Sequence, residues 1–359
     1  MSGRAGRPHS GVGLLAVAGA VGAALVLLSA VPAAAEVAAP TGATDPPALR
    51  ATTRCHLTDP RLPELSGLVV VGNRMLAMND GGDRAAVYLL DGGCRVVDVH
   101  SAPIDPYDPE DMAVGADGTV WLADTGDNSM NRPTVALLAL RPNGSTGVYR
   151  MTYPDGPHDA EALLLAPDGT PYIVTKEVLG SSGVYRPLTA LAQGATVGMG
   201  KVATVNVTLT GTPGGPVGRA GQLMITGGAV SSDGHHLALR TYTDAYVWPL
   251  TGSDVAGALT AAPQRIALPP SPQGEAISFT ADGRQLVVAS EQLPSDISVV
   301  PLPARRTAAA ADTRSTGPVP SLTDFSRSGL SPITSGVIAA VVATVLVWVA
   351  GKLRRRPRA

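Results

Sequence analysis

The sequence predicts an all-β fold, a β-propeller of five blades with six as the alternative. Three observations predict it. A short hairpin unit recurs five times along the chain. In four of the units an Asp-Gly pair sits between two apolar runs, the strongest short-range hairpin signal. Glycine (41) and proline (31) are abundant among the 359 residues, as a turn-rich β protein requires. Sheet-forming repeats of about 40–50 residues with a turn per hairpin are the signature of propeller blades.

In chain order, residues 1–35 read as a secretory signal peptide. Arg4, Arg7 and His9 form a basic start, residues 11–31 are apolar, and Ala33, Ala34 and Ala35 supply small residues for cleavage before Glu36. The long apolar run leaves an uncleaved anchor as the alternative. Residues 36–51, rich in Ala, Pro and Thr, are expected to form a flexible mature N-terminus.

The propeller is expected over residues 52–303. Its second unit is the clearest: an acidic opening (Asp108, Glu110, Asp111), a short apolar run, the Asp117-Gly118 turn, a second apolar run, and a closing cluster of Asp124, Gly126, Asp127 and Asn128. The other units open near Ser66, Glu161, Gly228 and Glu275, so successive openings step by 44, 51, 67 and 47 residues. The long third step holds a Gly/Pro-rich insertion over residues 211–221, and residues 201–209 alternate as a strand should. That stretch is what leaves a sixth, irregular blade open. Cys55 and Cys94 are the two cysteines and both fall in the exported part, which predicts a disulfide. Cys55 precedes the first unit, where an N-terminal strand can complete the last blade, so a bridge to Cys94 on the first blade's outer strand would pin the ring closed.

Residues 304–332, rich in Ala, Ser, Thr and Pro, read as a tether. Residues 333–351 are nearly all apolar, long enough to span a bilayer, and residues 352–359 carry Lys352, Arg354, Arg355, Arg356 and Arg358. The expectation is a single-pass type I protein of the cell membrane, held by its C-terminal helix, with the propeller outside and the basic tail in the cytoplasm.

The hairpins have a chemical consequence. Antiparallel pairing brings the start of each first strand and the end of each second strand to one edge. Glu110, Asp111, Asp159, Glu161 and Glu275 open hairpins; Asp80, Asp83, Asp124, Asp127, Glu177, Asp244 and Glu291 close them. All should lie on one face, around the mouth of an axial channel, with Lys176, Arg240 and His158 among the few bases nearby. Clustered carboxylates repel unless a cation or a base relieves them. Oxygen donors with no cysteine and little histidine favour Ca²⁺ over zinc. Asp80, Asp83, Glu110, Asp124, Asp127, Glu161 and Glu275 are the candidate cation ligands; Glu110, Asp111, His158, Asp159, Glu161, Lys176, Glu177, Arg240, Glu275 and Glu291 form the candidate ligand face. Asp and Asn also cap turns and strand ends, so a purely structural role stands beside this one.

Other chemistries lack their signatures. There is no Gly-x-Ser-x-Gly elbow, no phosphate-cradling loop and no Cys-x-x-Cys. Net charge is −2, with no basic footprint for nucleic acid.

The Glu110-Asp111 pair, the Asp124-Thr125-Gly126-Asp127-Asn128 loop, Asp159-Ala160-Glu161 and Gly274-Glu275-Ala276 together resemble a family of exported bacterial β-propellers that is mostly uncharacterised. Pro109 and Thr125 depart from that family's usual Trp and Ile. A looser likeness to calcium-dependent phytase-like and lactonase-like propellers implies an axial acidic metal site. Two functions follow as expectations: a surface-anchored module that binds an extracellular ligand or partner, with or without Ca²⁺, or a metal-dependent hydrolase. No acid–base pair declares itself, which favours the first.

Overall fold

A computed structural model describes residues 50–303. The expected signal peptide, nearly all of the 36–51 segment, the tether, the 333–351 span and the basic tail lie outside the described residues. Among the described residues no helix is long and apolar enough to cross a membrane.

The described chain is built of strands: β1 (Thr52–Leu57), β2 (Leu65–Val71), β3 (Arg74–Asn79), β4 (Ala86–Leu90), β5 (Val96–Ser101), β6 (Pro109–Val114), β7 (Val120–Asp124), β8 (Val135–Leu140), β9 (Thr146–Thr152), β10 (Ala160–Leu165), β11 (Pro171–Thr175), β12 (Ser181–Pro187), β13 (Thr196–Asn206), β14 (Ile225–Val230), β15 (His236–Thr241), β16 (Asp244–Pro249), β17 (Gln264–Ala267), β18 (Gly274–Phe279), β19 (Gln285–Ser290) and β20 (Ser295–Pro301). Strands β2–β5 and β14–β17 form four-stranded antiparallel sheets, and β18–β20 form a third with β1 added on its outer edge. Strands β6–β9 and β10–β13 are two further runs of four. A short parallel pairing of β9 with β13 at their outer edges joins them into one eight-stranded sheet.

The first strands touch in a closed cycle: β2 with β6, β6 with β10, β10 with β14, β14 with β18, and β18 with β2. Their composition explains the position. Strands β10 and β18 are buried at all six residues, as strands covered on both faces must be. Gly67 on β2 faces Met78 and Met112, and a Cβ there would collide with both. Outer strands differ: β13 alternates buried and exposed along much of its length. Five apolar clusters fill the seams between consecutive sheets. Leu57, Leu65, Met75, Val287 and Ile297 pack the seam between the first and last; Leu164, Val174, Leu239 and Trp248 pack the one between the third and fourth runs. Burying such a side chain contributes about 1.5–3 kcal/mol.

The Asp-Gly turns behave as their chemistry dictates. Gly118, Gly169, Gly234 and Gly283 adopt φ of 80°, 84°, 71° and 66°, a left-handed region closed to most side chains. The preceding Asp117, Asp168, Asp233 and Asp282 carboxylates each accept the backbone N–H two residues on.

Every first strand breaks register at its start. The irregularity falls between Leu65 and Gly67, Pro109 and Asp111, Ala160 and Ala162, Ile225 and Gly227, and Gly274 and Ile277. The residues set in these bulges are Ser66, Glu110, Glu161, Thr226 and Glu275. The equivalent of Glu110 in the fourth unit is therefore Thr226 rather than Gly228. The apolar pattern around residues 226–230 could not place the extra residue, because a bulge shifts the period by one.

Cys55 and Cys94 are joined, with Cα atoms 5.8 Å apart. Cys55 lies on β1, paired to β20, so the bridge links the last sheet to the first. Cys94 is in the turn before β5, at φ 64°, and not on the strand itself. The stretch expected to be able to seed another blade becomes β13, the outer strand of the run begun by β10.

Candidate functional site

The bulges decide where the acids point. A bulge re-aims the side chain of its extra residue. Here it turns the three glutamates out of the strand alternation and toward the edge where the second strands end. Glu110, Asp159 and Glu161 form one group, each offering an oxygen within 4.8 Å of the others, and all three are buried. Burial, and next the charge of Glu161, raise the Glu110 carboxyl well above the usual range. Burial, and next Glu275, do the same for Glu161. Lys176 donates to Glu161 Oε1 and stands 5.4 Å from the Tyr242 ring centre. Burial opposes its charge, yet the Glu161 carboxylate overrides that and the ammonium pKa is raised. Glu161 Oε2 is buried with no hydrogen-bond partner. Asp159 is fixed from the neighbouring run by the Asp127 N–H at 2.8 Å. Gly126 supplies the space beside this group, since a Cβ there would strike the Glu110 and Asp108 carboxylates.

Asp80, Glu275 and Glu291 form a second group, again within 4.8 Å. Asp80 follows β3, and Glu291 follows β19, as the hairpin argument requires. Burial and the charge of Glu275 push Asp80 up to about 7 and Glu291 up to about 9. Arg240 lies close by but makes no ion pair. Its Nη1 donates to the Ala276 and Ala289 carbonyls at 2.7 and 3.1 Å, and its Nε donates to that of Thr241 at 3.2 Å. Burial pushes the guanidinium down to about 10.

Asp111 is a different object. Its Oδ1 accepts the Met112 N–H at 2.8 Å, and its Oδ2 accepts Leu163 N–H at 2.8 Å and Gly228 N–H at 3.0 Å. It thus ties β6 to β10 and β14. Burial pushes its carboxyl up to about 8 against the pull of those three amides, and the donor-only surroundings suit the ionised form.

The remaining expected residues are engaged elsewhere. Asp124 accepts from the Tyr107 and Asp108 amides and pairs with Arg132 at 3.0 Å. Asp127 accepts the Arg132 N–H at 2.8 Å. Asp83 is exposed beside Arg84. None of the three enters either group. His158 is one-fifth exposed, with Nε2 3.0 Å from Asp155 Oδ1 and Nδ1 3.7 Å from Glu177 Oε1; the Tyr185 hydroxyl is 3.1 Å from the same Nε2. Asp155 and Tyr185 carry no motif that would have placed them there. Asp159 and Glu291 were legible as face residues from their hairpin positions, but not as donors to a shared group, which depends on which sheets adjoin.

No protein-family model and no curated protein matches the chain. Solved structures do resemble it. A gluconolactonase from Xanthomonas campestris is 19% identical over 64% of this chain and 69% of its own, with a TM-score of 0.38. The PQQ-bound aldose sugar dehydrogenase of Streptomyces coelicolor is 12% identical over 70% and 98%, with a TM-score of 0.35. Kuenenia stuttgartiensis hydrazine synthase is 14% identical over 65% of this chain, which spans 57% of that protein's length, with a TM-score of 0.34. These are propeller-like neighbours of an all-β chain, and at such scores they carry no argument about its chemistry.

Proposed function

We propose that this chain is a membrane-anchored, extracytoplasmic, five-bladed β-propeller that works as a ligand- or partner-binding module, with a hard divalent cation of the calcium class held by Glu110, Asp159 and Glu161. The cycle of five first strands and the addition of β1 to the last sheet support the blade count. The anchor rests on the sequence of residues 333–359. The observation that carries the site is three buried carboxylates within 4.8 Å served by one lysine, one of them keeping a buried oxygen without a partner. Three ionised carboxylates with one ammonium leave a net negative charge in a desolvated place, which a divalent cation offsets. The loops beside this edge expose Tyr107, Met130, Val178 and Leu179, apolar side chains suited to a partner rather than to water.

The second reading is a metal-dependent hydrolase of phytase-like or lactonase-like type. His158 favours it, being partly exposed, next to Asp159, and oriented by Asp155 and Tyr185 as a proton carrier would be.

Calcium should raise the melting temperature of the full-length protein relative to EDTA, by the equivalent of roughly 2.7 kcal/mol at a hundredfold excess over the dissociation constant. Glu110→Gln combined with Glu161→Gln should remove the part of the shift due to this group. An unchanged shift in the double variant refutes the site; hydrolysis of a phosphoester or lactone by the wild type would favour the second reading.

A further inference from the structure

The first and last sheets meet at a seam that the chain must close from its two ends. Cys55–Cys94 holds it at one side. Strand β4 runs away from the acidic edge, so the turn bearing Cys94 lies opposite the acids. The other side of the same seam carries Asp80 from the first sheet and Glu275 and Glu291 from the last.

We propose that Asp80, Glu275 and Glu291 hold a hard divalent cation that clamps this seam, a site separate from the Glu110 group. Four observations support it. The ligands come from both sheets, so an ion bound to them joins the first sheet to the last. Among the described residues no Lys, Arg or His pairs with any of the three, whereas Glu161 has Lys176. Glu275 and Glu291 are only 3% and 7% exposed, and Glu275 Oε2 and Glu291 Oε1 both lack a hydrogen-bond partner. Burying carboxylate oxygens unpaired is costly, and two in one place point to a group that belongs between them. Finally, Arg240, a buried cation near Glu275, has its N–H groups turned to backbone carbonyls, so it braces β15 against β18 and β19; its charge acts on Glu275 without forming an ion pair.

A cleft of about 400 Å³ reaches one of the three acids: Arg240, Ser271, Ser290, Glu291, Gln292 and Pro294 are among its lining. The Gln292 N–H donates to the Pro63 carbonyl at 2.8 Å, so the backbone beside Glu291 is already tied across to the segment entering the first sheet. All donors are carboxylate oxygens, and their number leaves positions for carbonyls or water. That suits calcium, whose shell of six to eight oxygens is flexible, better than magnesium with its strict octahedron.

The test is calorimetric titration of calcium, then of magnesium, into the EDTA-stripped full-length protein. The wild type should bind calcium in two events and magnesium more weakly at the seam. Glu291→Gln should lose one event or weaken it at least tenfold. Asp80→Asn, on the other sheet, should weaken the same event, while Glu161→Gln should leave it intact. Calcium should slow amide exchange in β2, β18 and β19 of the wild type but not of Glu291→Gln, the signature of a clamp. Titrations unchanged in Glu291→Gln and Asp80→Asn overturn this proposal and leave the Glu110 reading standing. Survival of the seam event with no Glu161-dependent event overturns the Glu110 reading alone. No binding at all overturns both, and the acids then share protons instead of an ion.

Discussion

The hub at Asp111 and the seam group at Asp80, Glu275 and Glu291 are both buried acidic regions beside the same ring of first strands, yet they are opposites in satisfaction. Asp111 has three amide donors from three strands. The seam group has a long contact from Gln273 Nε2 to Glu275 Oε1 at 3.4 Å, a carboxyl–carboxyl contact between Glu275 and Glu291, and two buried oxygens that no N–H or hydroxyl reaches. Burial alone therefore does not mark function here. The difference lies in the bulge. Asp111 follows one and projects among backbone amides of neighbouring strands, while Glu275 is displaced by one and projects among carboxylates. A buried carboxyl met by N–H groups stabilises the fold; one met by other carboxyls needs something added.

The comparison breaks most visibly at Asp111. Asp111→Ala leaves the Met112, Leu163 and Gly228 amides unsatisfied inside the ring and should cost about 3–5 kcal/mol in urea denaturation, in line with removal of one partner from a buried charged network. Glu275→Gln, by contrast, should leave the EDTA-treated protein equally or more stable. A large loss for Glu275→Gln would make the seam group a structural hub like Asp111.

A pH series sharpens it. Two of the seam carboxyls are raised, Asp80 to about 7 and Glu291 to about 9, so between the ordinary carboxylate range and those values the folded chain holds more protons than the unfolded one. Their contribution is fully present below the ordinary carboxylate range and is lost as pH rises through 7 and then 9. In EDTA the protein should thus lose stability from pH 5 to 9, by at most about 1.4 kcal/mol per pH unit for each proton. Glu291→Gln should flatten the upper part of the fall, and calcium should reduce it. A wild-type curve that is flat over this range would count against unpaired acids at the seam.

The smallest expected effect concerns the two bulges without acids. The Thr226 hydroxyl donates to the Gly274 carbonyl at 2.9 Å, and that of Ser66 to the Glu110 carbonyl. Thr226→Val should cost about 1 kcal/mol in the same denaturation assay, the usual worth of one such bond, and should leave calcium binding untouched. If calcium binding falls with it, the hydroxyl bulges belong to the site.

The hairpin units told most of the fold. Asp-Gly pairs fix turns because glycine alone accepts the left-handed φ, and apolar runs of fixed spacing then set the antiparallel pairs; both are local. The disulfide was legible because two cysteines in a segment expected to be exported allow a single pairing. The chemistry was legible in part. Glu110, Glu161 and Glu275 could be placed on one edge from strand direction alone, and Asp124 and Asp127 were drawn into the same set because a hairpin's direction says nothing of what a side chain meets. Arg132, only a few residues on, claims Asp124. What the sequence by itself determined is the order and direction of the strands, since these follow from turn chemistry and residue period. What only the tertiary structure decided is which acids share a space: the bulges that shift a side chain by one residue, the amides that reach Asp111 from β10 and β14, and the seam that sets Asp80 against Glu291 all depend on contacts between residues far apart in the chain.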